Sequence, residues 1–581
     1  VDLLRAEDAP GGRGRPGWVP DIRNQTRGKP LRNKVSVVMA AALALTAAPL
    51  AHADPPDPAA KYADQEVSWG ECAFTPAAPL ECALITVPRD WANPGSGAEL
   101  EVSISRSRAT GERQGAMLVN PGGPGAQGSG LAGALAALAP DLAGAYDLVG
   151  MDPRGTGREG VEGSAFTCDV PTDRLPTGLL DARDRSAASL AEHAKEPRAV
   201  AEACQSHALT PYITTWQTAH DVDLVRALLG EERLHYLGYS YGSWLGAKYA
   251  SLFPEKVGKV VLDSSVNWQG RLQAAFEAWP EIGHRQLERQ YFPWLSRQFP
   301  DAVGDDPRGA WERAREVYAE QGVAPDAYDR IFVGLGSELA WLLSAAVLVA
   351  AQGEQPEVPD ALRARVDEAT TREFGVPLSA LTPAAVAEAL ADYTPYPGTY
   401  YAVTCGDEVT RTAARNKALS DRQGPKWPVF GWAYGLWQAC GYWTDAPRHQ
   451  LPALPPQVAD RVLVVQGEFD PQTGYEQARA AVRAAPGVGL VQVTDATMHG
   501  QYAVDGNPCV DGAVNVFLLH GSRPNTLTCP GLPLPGEDGV HPADGPIREP
   551  ASTQLTAEVV PTGDPALRAR VREQINSSFR H

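Results

Sequence analysis

One serine stands between two glycines where a strand-like segment meets a helix-like one, at Gly238-Tyr239-Ser240-Tyr241-Gly242. Leu234 to Leu237 before it is an apolar run of buried-strand character, and Ser243 to Ala250 after it has helical character. Strand, G-x-S-x-G, helix is the context of a nucleophile elbow. Its turn is tight enough that only glycine fits at the flanking positions, and the serine is held strained with its hydroxyl above the sheet. The same five residues in an ordinary Gly/Ser-rich turn would carry no chemistry. The flanking elements make Ser240 a nucleophile candidate.

The rest of the chain supplies a matching sheet. Leu84–Val87, Leu100–Ser105, Ala116–Val119, Tyr146–Met151, Lys259–Leu262, Arg461–Val465 and Gly489–Val493 read as strands. Between them lie a helix near Gly130–Ala139, an amphipathic helix Thr215–Leu229 closed by Gly230, and helices near Tyr475–Ala484 and Val510–His520. Strands alternating with helices mean an α/β protein with a mostly parallel sheet. The alternation stops between residues 267 and 457, where helical segments dominate: Leu272–Ala278, Arg308–Ala319, Tyr328–Ala351, Ala361–Arg372, Pro383–Asp392 and Val409–Leu419. This predicts an α/β-hydrolase fold with a large helical cap insertion. The core is expected over residues 69–266 and 458–529, with a leader at 54–68 and a Pro/Gly-rich tail at 530–581 that holds one helix candidate near Pro565–Asn576.

A serine hydroxyl is a poor nucleophile alone; it needs a base, and the base needs an orienting acid. In the α/β-hydrolase arrangement these follow in the order Ser, Asp/Glu, His, on loops after late strands. His499, just past the strand ending at Val493, has the right position for the base, unlike His449, His520, His541 and His581. Asp470, five residues past Val465 and stiffened by Pro471, is the candidate acid, with Glu468 and Asp263 as competitors. The oxyanion requires two backbone donors: the N–H of Tyr241 and one from Asn120-Pro-Gly-Gly-Pro-Gly125, at Gly122 or Gly123. Pro124 and the lack of G-x-G-x-x-G argue against a dinucleotide site there. Asp152-Pro-Arg-Gly155 is expected to organise the adjoining loop.

Arg27, Lys29, Arg32 and Lys34 precede an apolar run, Val35–Leu50, and the small-x-small signal Ala51-His52-Ala53. This pattern predicts a secretory signal peptide cut before Asp54, behind an unusual polar stretch at 1–26. The mature protein is then expected outside the cell, without a membrane span or lipid anchor. Eight cysteines fit an oxidising compartment, and their arrangement points to the pairs 72–82, 168–204, 405–440 and 509–529. None lies in a zinc-ligand pattern. A formal net charge of −19 argues against nucleic-acid or anionic-membrane partners held by general electrostatics.

Taken together, Glu81-Cys82 leading to Val87-Pro88, Asn120–Gly125, Asp152–Gly157, Gly238–Gly242, Thr404-Cys405-Gly-Asp407, Gly467–Asp470 and Met498-His499-Gly500 resemble the secreted bacterial tripeptidyl aminopeptidases. These are α/β-hydrolase serine exopeptidases related to proline iminopeptidases. The motifs run from residue 69 to about 529; Pro121 stands where the iminopeptidases carry a histidine. The resemblance implies a triad of Ser240, Asp470 and His499, an oxyanion hole of Gly123 with Tyr241, and release of short peptides from free N-termini without a cofactor. An exopeptidase must hold the substrate's α-ammonium, for which Asp407 and Glu408 are candidates beside their other reading as a solvated pair. The aromatic run Trp427–Trp443 fits either a substrate channel or core packing. A secreted carboxylesterase with the same triad, or a non-catalytic binder of the same fold, are the competing readings.

Overall fold

The computed structural model describes residues 59–353, 358–390, 396–548 and 564–576. The expected signal peptide and its cleavage site lie outside them. Among the described residues eleven strands are formed: β1 Glu81–Pro88, β2 Glu99–Ser107, β3 Gly115–Asn120, β4 Tyr146–Asp152, β5 Thr167–Cys168, β6 Leu234–Tyr239, β7 Val257–Asp263, β8 Tyr396–Pro397, β9 Val462–Gly467, β10 Gly489–Thr494 and β11 Thr526–Pro530. Nine make one sheet in the order β1-β2-β4-β3-β6-β7-β9-β10-β11. β2 is antiparallel to both β1 and β4, and every other pairing in the sheet is parallel.

The apolar runs follow from burial on both faces, which crossover helices impose on parallel strands. Every residue of β3, β4 and β9 is buried, whereas β2, toward the antiparallel edge, mixes buried and exposed positions. Alternate residues feed two cores. Leu118, Tyr236, Leu262 and Val464 pack on one face with Val222 of helix Thr215–Leu228, Trp244 of helix Tyr241–Leu252 and Ala478 of helix Tyr475–Ala484. Val119, Leu237, Val261 and Val465 pack on the other with Leu135 of helix Ser129–Leu138, Val514 of helix Pro508–His520 and Val571 of helix Pro565–Ile575. That last helix, within the expected tail, is therefore part of the core.

Between β7 and β9 the chain forms the helical insertion, with its own apolar cluster around Trp294, Trp311, Tyr328 and Trp341. The ladder of β5 with β8 joins this insertion to the excursion after β4. Both ends of the insertion are fastened to the elbow helix: buried Lys248 Nζ donates to the carbonyls of Trp268 (2.8 Å) and Pro452 (3.1 Å). The expected helix Tyr328–Ala351 is instead two, Pro325–Arg330 and Glu338–Ala350. Gly334, at φ 66°, and Gly336 occupy the break, and the Ser337 side chain accepts from Ala340 N to start the second helix. Among the described residues no helix is long and apolar enough to cross a membrane.

The disulfides are Cys72–Cys82, Cys168–Cys204, Cys405–Cys440 and Cys509–Cys529, the pairs the sequence order pointed to. Cys405–Cys440 closes a 35-residue separation inside the insertion. Replacing both cysteines by alanine should lower unfolding stability by about 3–4 kcal/mol through the freed unfolded chain. A denaturation midpoint unchanged from the oxidised parent would contradict this.

Candidate active site

Ser240 sits between β6 and the helix Tyr241–Leu252 at φ 56°, ψ −126°, a conformation that costs energy for any L-residue. The elbow's glycines are sterically required. A Cβ on Gly238 would lie 2.5 Å from the Gly242 carbonyl oxygen, and one on Gly242 2.8 Å from Asn120 Oδ1. The turn is pinned by Ser240 N–H donating to the Asp263 carbonyl (3.0 Å) and by Ser243 Oγ donating to the Ser240 carbonyl (2.6 Å).

β7 ends in Asp263-Ser264, which links the elbow to the histidine loop. While its carbonyl receives Ser240 N–H, the Asp263 carboxylate accepts from the N–H groups of Gln501 (3.0 Å) and Tyr502 (2.8 Å). Ser264 Oγ accepts from Gly500 N (2.8 Å). Burial pushes the Asp263 carboxyl up to about 7, against the pull of those N–H donors. Asp263, a weighed alternative for the acid, thus fastens the His499 loop through its backbone.

Asp470 and His499 are both fully buried. His499 Nδ1 lies 2.9 and 3.0 Å from the two carboxylate oxygens of Asp470. A carboxylate only accepts, so Nδ1 carries the proton and Nε2 is the free basic nitrogen. Asp470 also accepts from Gln472 N, Thr473 N and Thr473 Oγ1 at 2.9, 2.9 and 3.0 Å. Burial disfavours its charge, yet the His499 partner and these donors hold its carboxyl below the ordinary range. Among the described residues, Nε2 of His499 has no hydrogen-bond partner and Ser240 Oγ makes no hydrogen bond to it. Glu468 is committed elsewhere, accepting from Asp495 N and Ile547 N.

The glycine loop presses against the elbow. A Cβ on Gly122 would lie 2.9 Å from Ser240 Cβ and 3.1 Å from Tyr241 N, and Gly122 and Gly123 both have φ 105°. Tyr241 N opens a helix, where the first N–H groups have no intrahelical acceptor. Its side-chain hydroxyl lies 2.6 Å from Thr215 Oγ1. Asp152 receives Gly128 N, Ser129 N and Glu159 N, while Arg154 makes a fully buried, two-pronged pair with Asp221. That motif holds the loop after β3 in place.

Asp407 and Glu408 part company. Both oxygens of Glu408 accept backbone N–H groups, Leu272 at 3.3 Å and Gln273 at 2.7 Å, at the start of helix Leu272–Glu277. Asp407 Oδ1 accepts from Thr215 N (2.9 Å), but its buried Oδ2 has no partner among the described residues. Burial pushes its carboxyl up to about 7. Phe430 and Tyr434 of the aromatic run are buried in the core. Among the described residues no group of three or more His, Cys, Asp or Glu could hold a metal ion.

Gly336 was not legible as a site residue. Its carbonyl accepts His499 N–H (2.8 Å), and a Cβ there would come within 2.7 Å of His499 Cβ. The available signal is Gly334-Leu-Gly336 interrupting an otherwise helical pattern.

A model for the alpha/beta hydrolase fold matches residues 115–338, and one described as TAP-like protein matches 428–529. The chain is 31% identical over 504 residues to a tripeptidyl aminopeptidase of Streptomyces coelicolor, covering 81% of this chain and 87% of that one. It is 26% identical over 488 residues to serine protease Hip1 of Mycobacterium tuberculosis, covering 79% and 90%. It is also 29% identical over 531 residues to carboxylesterase B of the same species, covering 81% and 91%.

Proposed function

Since this chain belongs to the α/β-hydrolase family of the tripeptidyl aminopeptidases, and is therefore a hydrolase, we propose that it is a serine exopeptidase releasing tripeptides or similar short units from free N-termini. The observation that carries the reading is the buried His499, held by Asp470 through Nδ1 with Nε2 unpartnered among the described residues, on a loop fastened to the Ser240 turn by Asp263. Ser240 Oγ attacks the scissile carbonyl as its proton passes to His499 Nε2. The tetrahedral oxyanion is stabilised by the N–H groups of Tyr241 and Gly123. As the C–N bond breaks, the imidazolium protonates the leaving amine. A water, deprotonated by the same nitrogen, then attacks the acyl-enzyme and frees Ser240. Asp407, with one buried oxygen uncommitted among the described residues, is the acceptor we assign to the substrate's α-ammonium. Four disulfides support an oxidising, extracellular setting.

A carboxylesterase reading has one specific support, the similarity to carboxylesterase B, because acyl chemistry is common to both. Paired tripeptidyl aminoanilides, one with a free and one with an acetylated N-terminus, separate them. Loss of a charge-assisted contact of about 1.5–3 kcal/mol predicts a kcat/KM roughly ten- to a hundredfold lower for the acetylated substrate. Equal cleavage of the two would overturn the exopeptidase reading.

A further inference from the structure

The helix Pro565–Ile575 and its cap Asn576 reach the segment after the glycine loop, the loop of Asp470 and the loop of His499. Gln574 Nε2 donates to the Gln127 carbonyl (2.7 Å), just past the glycine loop. Arg572 Nη2 donates to the carbonyls of Gly500 (3.3 Å) and Val504 (3.1 Å) and pairs with Asp505 Oδ1 (2.5 Å), gripping the turn that follows His499. Ile575 is fully buried, and a Cβ on Gly500 would meet it at 3.4 Å. Asn576 is the point of convergence. Its Oδ1 accepts from Gln472 Nε2, and the backbone N–H of Gln472 donates to Asp470 Oδ1. Its Nδ2 donates to the Arg572 carbonyl (2.7 Å) and, at 3.4 Å, to the Gly336 carbonyl, which also receives His499 N–H.

We propose that Asn576 is a positioning residue for the Asp470–His499 pair. One buried amide bridges the acid's loop and the carbonyl that fixes the base's backbone. It touches neither reacting atom, so it acts by fixing the distance between the two loops. Reaction geometry is sensitive on this scale: a displacement near 1 Å costs about a hundredfold in rate. The inference rests on the assignment of His499 as the base.

The test uses the full chain carrying Asn576→Ala, Asn576→Asp or His499→Ala. Measurements are kcat and KM on a free tripeptidyl aminoanilide, the pH profile of kcat/KM and the melting temperature. Asn576→Ala is expected to lower kcat roughly ten- to a hundredfold with KM within about twofold, in protein that still melts cooperatively. The acidic limb of kcat/KM, which reports the free enzyme's base, should move; a merely structural residue would leave it in place. Asn576→Asp keeps shape and the acceptor for Gln472 but loses the donor to both the Arg572 and Gly336 carbonyls and sets a carboxylate oxygen against them, so its kcat should fall at least as far as that of Asn576→Ala. Folded Asn576 variants with wild-type kcat and pH limb, alongside an inactive His499→Ala, would overturn this inference alone. So would losses that only track the unfolded fraction. Wild-type activity in His499→Ala would overturn the base assignment and the inference together.

Discussion

Replacing Ser240 by alanine should lower kcat on a free tripeptidyl aminoanilide by about six orders of magnitude while leaving the melting temperature nearly unchanged. The rate falls because the neighbouring hydroxyls are engaged: that of Tyr241 lies 2.6 Å from Thr215 Oγ1, and Ser243 Oγ donates to the Ser240 carbonyl. Stability is spared because the interactions that fix the turn run through backbone and neighbours. Ser240 N–H reaches Asp263, and Ser243 Oγ reaches the Ser240 carbonyl. Neither needs the Ser240 hydroxyl. Steady-state kinetics beside a thermal melt checks this. A folded variant retaining about a hundredth of the parent kcat, far above that expectation, would show that Ser240 is not the nucleophile.

Replacing Asp470 by asparagine should cost about four orders of magnitude in kcat, again without unfolding the loop. The carboxylate accepts at once from His499 Nδ1, Gln472 N, Thr473 N and Thr473 Oγ1. An asparagine has one acceptor oxygen. If that oxygen keeps the backbone donors, its NH2 faces His499 Nδ1, which must then give up its proton. The imidazole is left protonated on Nε2, the nitrogen that should accept from Ser240. The measurement is kcat at neutral pH with the melting temperature as control. A loss below about tenfold would mean that the pair does not set the histidine's tautomer.

What could be read from the sequence follows physical visibility. The strands β3, β4, β6, β7, β9 and β10 show as apolar runs because helices cover both faces. β11, Thr526–Pro530, escaped notice. It is short, sits at the sheet edge, alternates threonine with apolar residues and ends in proline. Ser240, Asp470 and His499 are candidates from the sequence because sheet topology fixes the order of such groups along the chain, and the structure brings Asp470 and His499 together. Gly336 and Asn576 are not candidates from the sequence, since their roles come from contacts across 163 and 240 residues of chain that no local pattern encodes. The helix at Pro565 was visible by its pattern; that it docks against the site was not. Glu408 looked like a candidate ligand because charge is visible in sequence, whereas the two N–H groups it satisfies are not.

Ser240, activated by His499, is the residue proposed to form the covalent intermediate. The most direct test treats the folded protein with a fluorophosphonate and maps the adduct by peptide mass spectrometry. One adduct is expected, on the peptide carrying Ser240, and none in the Ser240→Ala variant. No adduct in intact, folded protein, or an adduct on another residue that persists in Ser240→Ala, would contradict it.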